Sequence, residues 1–167
     1  MGVLGSLRRA AGFLAALCMA AVFALLLFGV GMRYLANRPL SWVDEAVTLL
    51  SVWGTFWTAA FVLEWPEHIA FDVLFGAMSP EKQRAWLLSG CIAFILLVGA
   101  AMPGMVDYTL FLWRERTDAM RLRLDFVYSI FPFFFAVVLL RLALVVRALA
   151  GAGWRQELAR WAGEEAP

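Results

Sequence analysis

The sequence predicts an all-α membrane protein: one domain over residues 1–167 with four transmembrane helices and short interfacial helices. Three observations point there. Of 167 residues, 63% are hydrophobic and 16% charged, with a mean hydropathy of +0.79, whereas a soluble domain is roughly half apolar. The charges fall in short clusters between long uncharged runs, as in a chain that crosses a bilayer repeatedly. Trp42, Trp65, Trp86, Trp113, Tyr34 and Tyr108 gather near the ends of those runs, where an aromatic belt sits. Net charge is +1, so overall electrostatics give no case for a nucleic-acid partner. The expected solvent is membrane lipid.

The first run, 10–32, is closed by Arg33 and Tyr34. Arg8 and Arg9 before it resemble the start of a signal peptide. The run is longer than the roughly 7–15 residues of a signal core, and no small-x-small cleavage site ends it, so it reads as a retained span. Pro39 stops that helix from running on. The second run, 46–63, is entered through "RPLSWVDEA", residues 38–46. Ser41 stands three residues before Asp44, the spacing of a capping box. Asp44 and Glu45 fall in the first turn, where partial positive charge favours acids. Behind them Glu45, Thr48, Ser51, Thr55 and Thr58 share one helical face. Small hydroxyl residues in lipid mark a helix–helix contact, either within this bundle or on another subunit. Trp53 and Trp57 cover a different face.

The third run, 85–106, has a start signal in Ser79-Pro80-Glu81. Pro103-Gly104 should loosen or kink it near its far end. Asp107 and Tyr108 close it. The connection 107–125 carries Arg114, Glu115, Arg116, Asp118, Arg121 and Arg123, and reads either as a cap on the bundle or as a docking surface. The fourth run, 126–146, is interrupted by Arg141. A mid-membrane charge costs about 2.5–3.5 kcal/mol on insertion scales, so Arg141 either snorkels to the interface or pairs with another helix. Gly151 and Gly153 end this helix. Trp154, Leu158 and Trp161 then recur at helical spacing, which predicts an amphipathic interfacial helix over 154–161.

Four spans put both termini on one side. The basic residues divide almost evenly between the two sides, and Arg8-Arg9 before the first helix tips both termini toward the cytoplasm. The chain's end after an acidic polar tail suggests a separate polypeptide rather than a fusion.

Chemistry-bearing residues are sparse. His68 is the only histidine, which excludes a bis-His heme. His68 and Asp72, four apart in "EHIAFDVL", either lie in a solvated interfacial loop or form a metal or proton site. Cys18 and Cys91 sit inside apolar runs and read as packing residues. The sequence holds no Ser/His/Asp set, Gly-rich phosphate loop or HExxH, so neither an enzyme nor a cofactor is expected. Runs one and two lack the central breaks from which coupled transporters build midplane sites. A self-sufficient homo-oligomeric four-helix transporter is the rival reading, and a redox-enzyme anchor a weaker one.

"RYLANRPLSWVDEAVTLLSVWGTFWTAA", "HIAFDVL" and "LDFVYSIFP" together resemble the small membrane subunit, or Q subunit, of tripartite ATP-independent periplasmic (TRAP) transporters. The resemblance covers about the whole chain and is sharpest over Arg33 to Glu45. It carries over to Arg33, Asn37, Pro39, Leu40, Trp42, Glu45, Trp53, His68, Asp72, Tyr128 and Pro132. Ala70 stands where a basic residue is common between the Ile and the Asp of the H-I-x-x-D motif. The resemblance implies a bacterial or archaeal inner-membrane complex that imports organic acids by sodium symport. A soluble extracytoplasmic binding protein (P subunit) captures the solute. A large membrane transport subunit (M subunit) carries it. The small permease subunit scaffolds the large one and helps dock the binding protein.

Overall fold

The computed structural model describes residues 3–62 and 78–161, with side chains over 9–62 and 78–159. The described residues form α1 (Val3–Tyr34), α2 (Ser41–Phe61), α3 (Pro80–Phe111), a 3₁₀ turn (Leu112–Arg114), α4 (Leu124–Tyr128), α5 (Ile130–Ala150) and α6 (Trp154–Trp161). Among the described residues, three stretches are long and apolar enough to cross a membrane: Arg9–Tyr34, Pro80–Arg114 and Leu124–Ala150. The fourth predicted span, α2, has 21 residues but falls outside this set. Its first turns carry Asp44 and Glu45, and its Trp, Thr, Ser and Gly content dilutes its hydropathy.

Several element ends differ from the sequence reading. α3 passes Asp107 and Tyr108 and continues to Phe111, because a lone acid and a tyrosine do not stop a helix as a lost N–H or a turn residue would. Pro103 is accommodated inside it. The fourth run is two helices. Pro132 has no N–H for the Tyr128 carbonyl, and its ring crowds that carbonyl, so the helical bond to Tyr128 O is missing where α4 gives way to α5. The Ser129 N–H bonds back to Asp125 O at 3.0 Å, and its hydroxyl donates to Phe126 O at 2.7 Å.

Backbone contacts divide the chain into two units, Met1–Val62 with Met105–Phe134, and Leu63–Gly104 with Phe135–Pro167. In the first, α1 and α2 form an antiparallel hairpin. The turn between them uses Asn37 in the left-handed region, φ 51°, which Asn tolerates better than most residues. Close approach of the two helices rests on Gly54. A Cβ there would lie 2.6 Å from Met19 Cε and 3.1 Å from Cys18 Sγ. The Cys18 thiol donates to Leu50 O at 3.3 Å, in keeping with its packing role. Trp57 Nε1 donates to Ala11 O at 3.3 Å, close to the far end of α1.

Trp53, on the same helix, reaches the α4 segment. Its Nε1 donates to Val127 O at 3.2 Å, and its ring stacks on Phe126 with centroids 5.4 Å apart. Trp53→Phe keeps a ring but removes the donor and orphans a carbonyl. The expected loss is about 1 kcal/mol of stability, read as a lower midpoint in a detergent thermal melt.

In the second unit, Val138, Leu142, Val145 and Leu149 are buried along one face of α5. The last turn of α5 leaves carbonyls without helical partners. Arg84 Nε donates to one of them, Leu149 O, at 2.9 Å. The same guanidinium lies 4.9 Å from the Trp154 ring centroid, a cation–π contact that ties the start of α6. Leu158 is buried while Arg155 and Gln156 are exposed.

Candidate functional site

The acidic pair at the head of α2 sends its two carboxylates in different directions, and neither caps the helix. The helix begins one residue earlier than the capping box requires. Leu40, extended at φ −112° and ψ 93°, is the N-cap and makes no side-chain cap bond. Ser41 is therefore already helical, and Asp44 lies a residue too far along to reach back. Asp44 instead faces Arg33 across the turn, Oδ2 to Nη2 3.7 Å, with both side chains exposed. A solvated pair at that distance contributes little stability.

Glu45 points to a segment far along the chain. Residues 115–124 form a small hairpin. The Leu124 N–H bonds to Glu115 O at 3.0 Å, and the Thr117 N–H bonds to Leu122 O at 2.9 Å. The Leu122 N–H also bonds to Thr117 Oγ1 at 2.9 Å. Arg121, left-handed at φ 55°, closes the turn. The return strand is fixed by a forked pair from Arg123 to Asp125, Nε–Oδ1 3.1 Å and Nη2–Oδ2 2.7 Å. At the hairpin tip, the Ala119 N–H donates to Glu45 Oε2 at 2.8 Å. The Met120 N–H is shared between both Glu45 oxygens at 3.2 Å. The carboxylate thus latches the tip of the hairpin onto the head of α2.

Every partner of this carboxylate is a donor. The Thr117 side-chain hydrogen bond, followed by the Ala119 and Met120 amides, outweighs desolvation and holds the Glu45 carboxyl below its usual 4.5. A depressed acid stabilises the latched state above its unfolded value and loses that contribution as pH falls through the folded value. The latch is therefore expected to be complete at neutral pH and to open below about pH 4.5. Amide NMR shifts of Ala119 and Met120 across an acid titration check this: a shared inflection on the acid side of 4.5 is expected, and shifts that ignore pH would refute it.

The remaining sequence candidates distribute as follows. Trp42 is exposed, with its ring centroid 6.3 Å from that of Phe28. Pro39 is exposed in the turn. Two threonines on the hydroxyl face of α2 bond within their own helix. Thr48 Oγ1 donates to Asp44 O at 2.9 Å and Thr58 Oγ1 to Gly54 O at 2.7 Å, each satisfied within its own helix. Thr48 and Thr55 are exposed, and Ser51 is half-buried. Tyr128 joins an aromatic cluster, 6.5 Å from Tyr108 and 5.7 Å from Phe131 between centroids, while Phe131 meets Phe56 edge-on at 4.7 Å. Pro132 sets the α4–α5 break. His68 and Asp72 lie outside the described residues.

The structure therefore joins Glu45 to Thr117, Ala119 and Met120, and Trp53 to Val127. It leaves Arg33 with Asp44 at the turn. Sequence reasoning did not select Thr117, Ala119 or Met120. Two of the three act through backbone amides, which leave no residue-type signal.

The family model described as "Tripartite ATP-independent periplasmic transporters, DctQ component" matches residues 22–152. That stretch contains the α1–α2 turn, the Glu45 latch and the whole of α3, α4 and α5. No curated protein and no solved structure gives a significant match.

Proposed function

Since the chain belongs to the DctQ-component family of tripartite ATP-independent periplasmic transporters, we propose that this small permease subunit scaffolds the large transport subunit and helps dock the soluble binding protein. The transporter so formed imports an organic acid on a sodium gradient across the inner membrane. The observation that carries the reading is the family match, which spans 22–152. The latch supports the docking role: Glu45 holds a charged hairpin, exposed at Arg116, Asp118 and Arg121, at the ends of the apolar helices. The buried core is built of apolar residues such as Val43, Ile130 and Leu149, a composition suited to a scaffold.

We also assign α2 as the fourth span, giving a single four-helix membrane domain with both termini in the cytoplasm. The stretch proposed to cross is 46–63, which as a helix would extend about 27 Å, close to a hydrocarbon layer of about 30 Å, and Glu45 stands just outside it. The α2 helix runs beside α1 from the Arg33–Asp44 pair at one end to the Trp57–Ala11 bond at the other, which supports a common depth. The exposed hydroxyl face at Thr48 and Thr55 and the turn residues Arg33, Asn37, Pro39 and Trp42 would then meet the partner subunits, with His68 and Asp72 as further motif positions.

Reconstitution into liposomes tests the assignment. With the large subunit and the binding protein present, a sodium gradient should drive uptake of an organic acid. The small subunit alone should give none. Flux by this chain unaided would replace the scaffold reading with a self-sufficient transporter.

A further inference from the structure

Beside the latch lies an open groove with an unusual mixture of walls. It is lined by Thr109 and Leu110 at the end of α3, by Arg116, Arg121, Leu122 and Arg123 of the hairpin, and by Asp125, Phe126 and Ser129 at the entry to α5. Three guanidinium groups face one carboxylate, a surplus of two positive charges. Asp125 is already taken by Arg123 in the forked pair. Arg116 uses one nitrogen, Nη1, on Arg121 O at 3.2 Å, which fixes its head while leaving other donors of the five on a guanidinium. Among the described residues, the Arg121 guanidinium has no carboxylate partner.

The opposite wall is greasy. Leu110 is 62% exposed and Phe126 65% exposed, and both belong to stretches apolar enough to cross a membrane, Pro80–Arg114 and Leu124–Ala150. The groove therefore sits where two spanning segments reach the water interface. Arginines stand on its polar side and bare hydrocarbon on its apolar side. We infer that it binds an anionic phospholipid. The phosphodiester sits against Arg116 and Arg121, and an acyl chain lies along Leu110 and Phe126. Guanidinium forks match phosphate geometry. An acidic protein surface would satisfy the arginines but would leave Leu110 and Phe126 uncovered, so lipid accounts for both walls.

The test uses the full chain, purified with its membrane partner, and native mass spectrometry after incubation with phosphatidylglycerol, phosphatidylcholine or inorganic phosphate. Phosphatidylglycerol should be retained several-fold more than phosphatidylcholine, and free phosphate should not displace it. Arg121→Gln should lower that retention at least fivefold. Arg121→Lys, which keeps the charge, should restore most of it and shows that the fold survives change at this position. Retention should also weaken with added salt, since exposed charges are screened. Equal retention of phosphatidylglycerol by wild type and Arg121→Gln would overturn the inference. So would displacement by free phosphate, which would make the groove a simple anion site. Loss of binding-protein docking in Arg121→Gln with lipid retention intact would assign the groove to an acidic protein surface, and would also overturn it.

Discussion

Glu45→Gln is expected to reduce binding-protein-dependent uptake roughly five- to tenfold, because charge-assisted bonds to a carboxylate are about twice as strong as neutral ones. The side chain keeps its size, but one oxygen becomes an amide NH₂. The Ala119 and Met120 N–H groups both donate to the native carboxylate, so the new donor faces other donors. The tip of the hairpin should then leave the head of α2. Hydrogen exchange at Ala119 and Met120 should rise in the same variant, which ties the uptake defect to the latch. Glu81→Gln, in the exposed first turn of α3, is the control and should behave as wild type. If both variants transport equally well, Glu45 is no more than the acid at a helix start.

The second large effect is expected at Gly54. A leucine there must place its Cβ 3.1 Å from Cys18 Sγ and 2.6 Å from Met19 Cε. The methionine tip can swing away, being the exposed end of a flexible side chain, but Cys18 is tied to Leu50 O. The helices must separate, at a cost of about 1–3 kcal/mol for overpacking. Separation would also strain the Trp57–Ala11 bond and tilt the turn that holds Asp44 against Arg33. Gly54→Leu should therefore lower the melting midpoint in detergent and weaken association with the large subunit. Gly12→Leu, with nothing within 4 Å of its new Cβ, should do neither. Equal melting curves for the two would show that α1 and α2 do not depend on close approach at this point.

Much of the fold is legible in the sequence for a simple reason. Lipid asks for about 20 apolar residues in a row, and local composition answers that directly for α1, α3 and α5. A helix over Trp154–Trp161 is legible too, since Trp154 and Leu158 recur at helical spacing. The head of α2 is less so. Ser41 and Asp44 fit a capping box by spacing, yet the helix starts after Leu40 and the pairing is lost by one residue. The α4–α5 break is written in Pro132, four residues after Tyr128, but apolarity on both sides hides it from a reading by runs.

The site is legible only by half. Glu45 stands out as an acid at the mouth of an apolar helix. Its partners lie 74 and 75 residues away and are mostly backbone amides, exposed by a turn that depends on the left-handed Arg121. Nothing in the local pattern around 115–124 separates a cap on the bundle from a docking surface. The structure shows a hairpin whose tip is bound by α2 and whose flank carries the basic groove.

The most direct measurement is affinity purification of this chain from membranes in mild detergent, followed by native mass spectrometry of the intact assembly. One copy held with one large, hydrophobic transport subunit is the expected mass. A stable homo-oligomer of this chain, with no larger membrane partner at any detergent concentration that keeps it folded, would contradict the account.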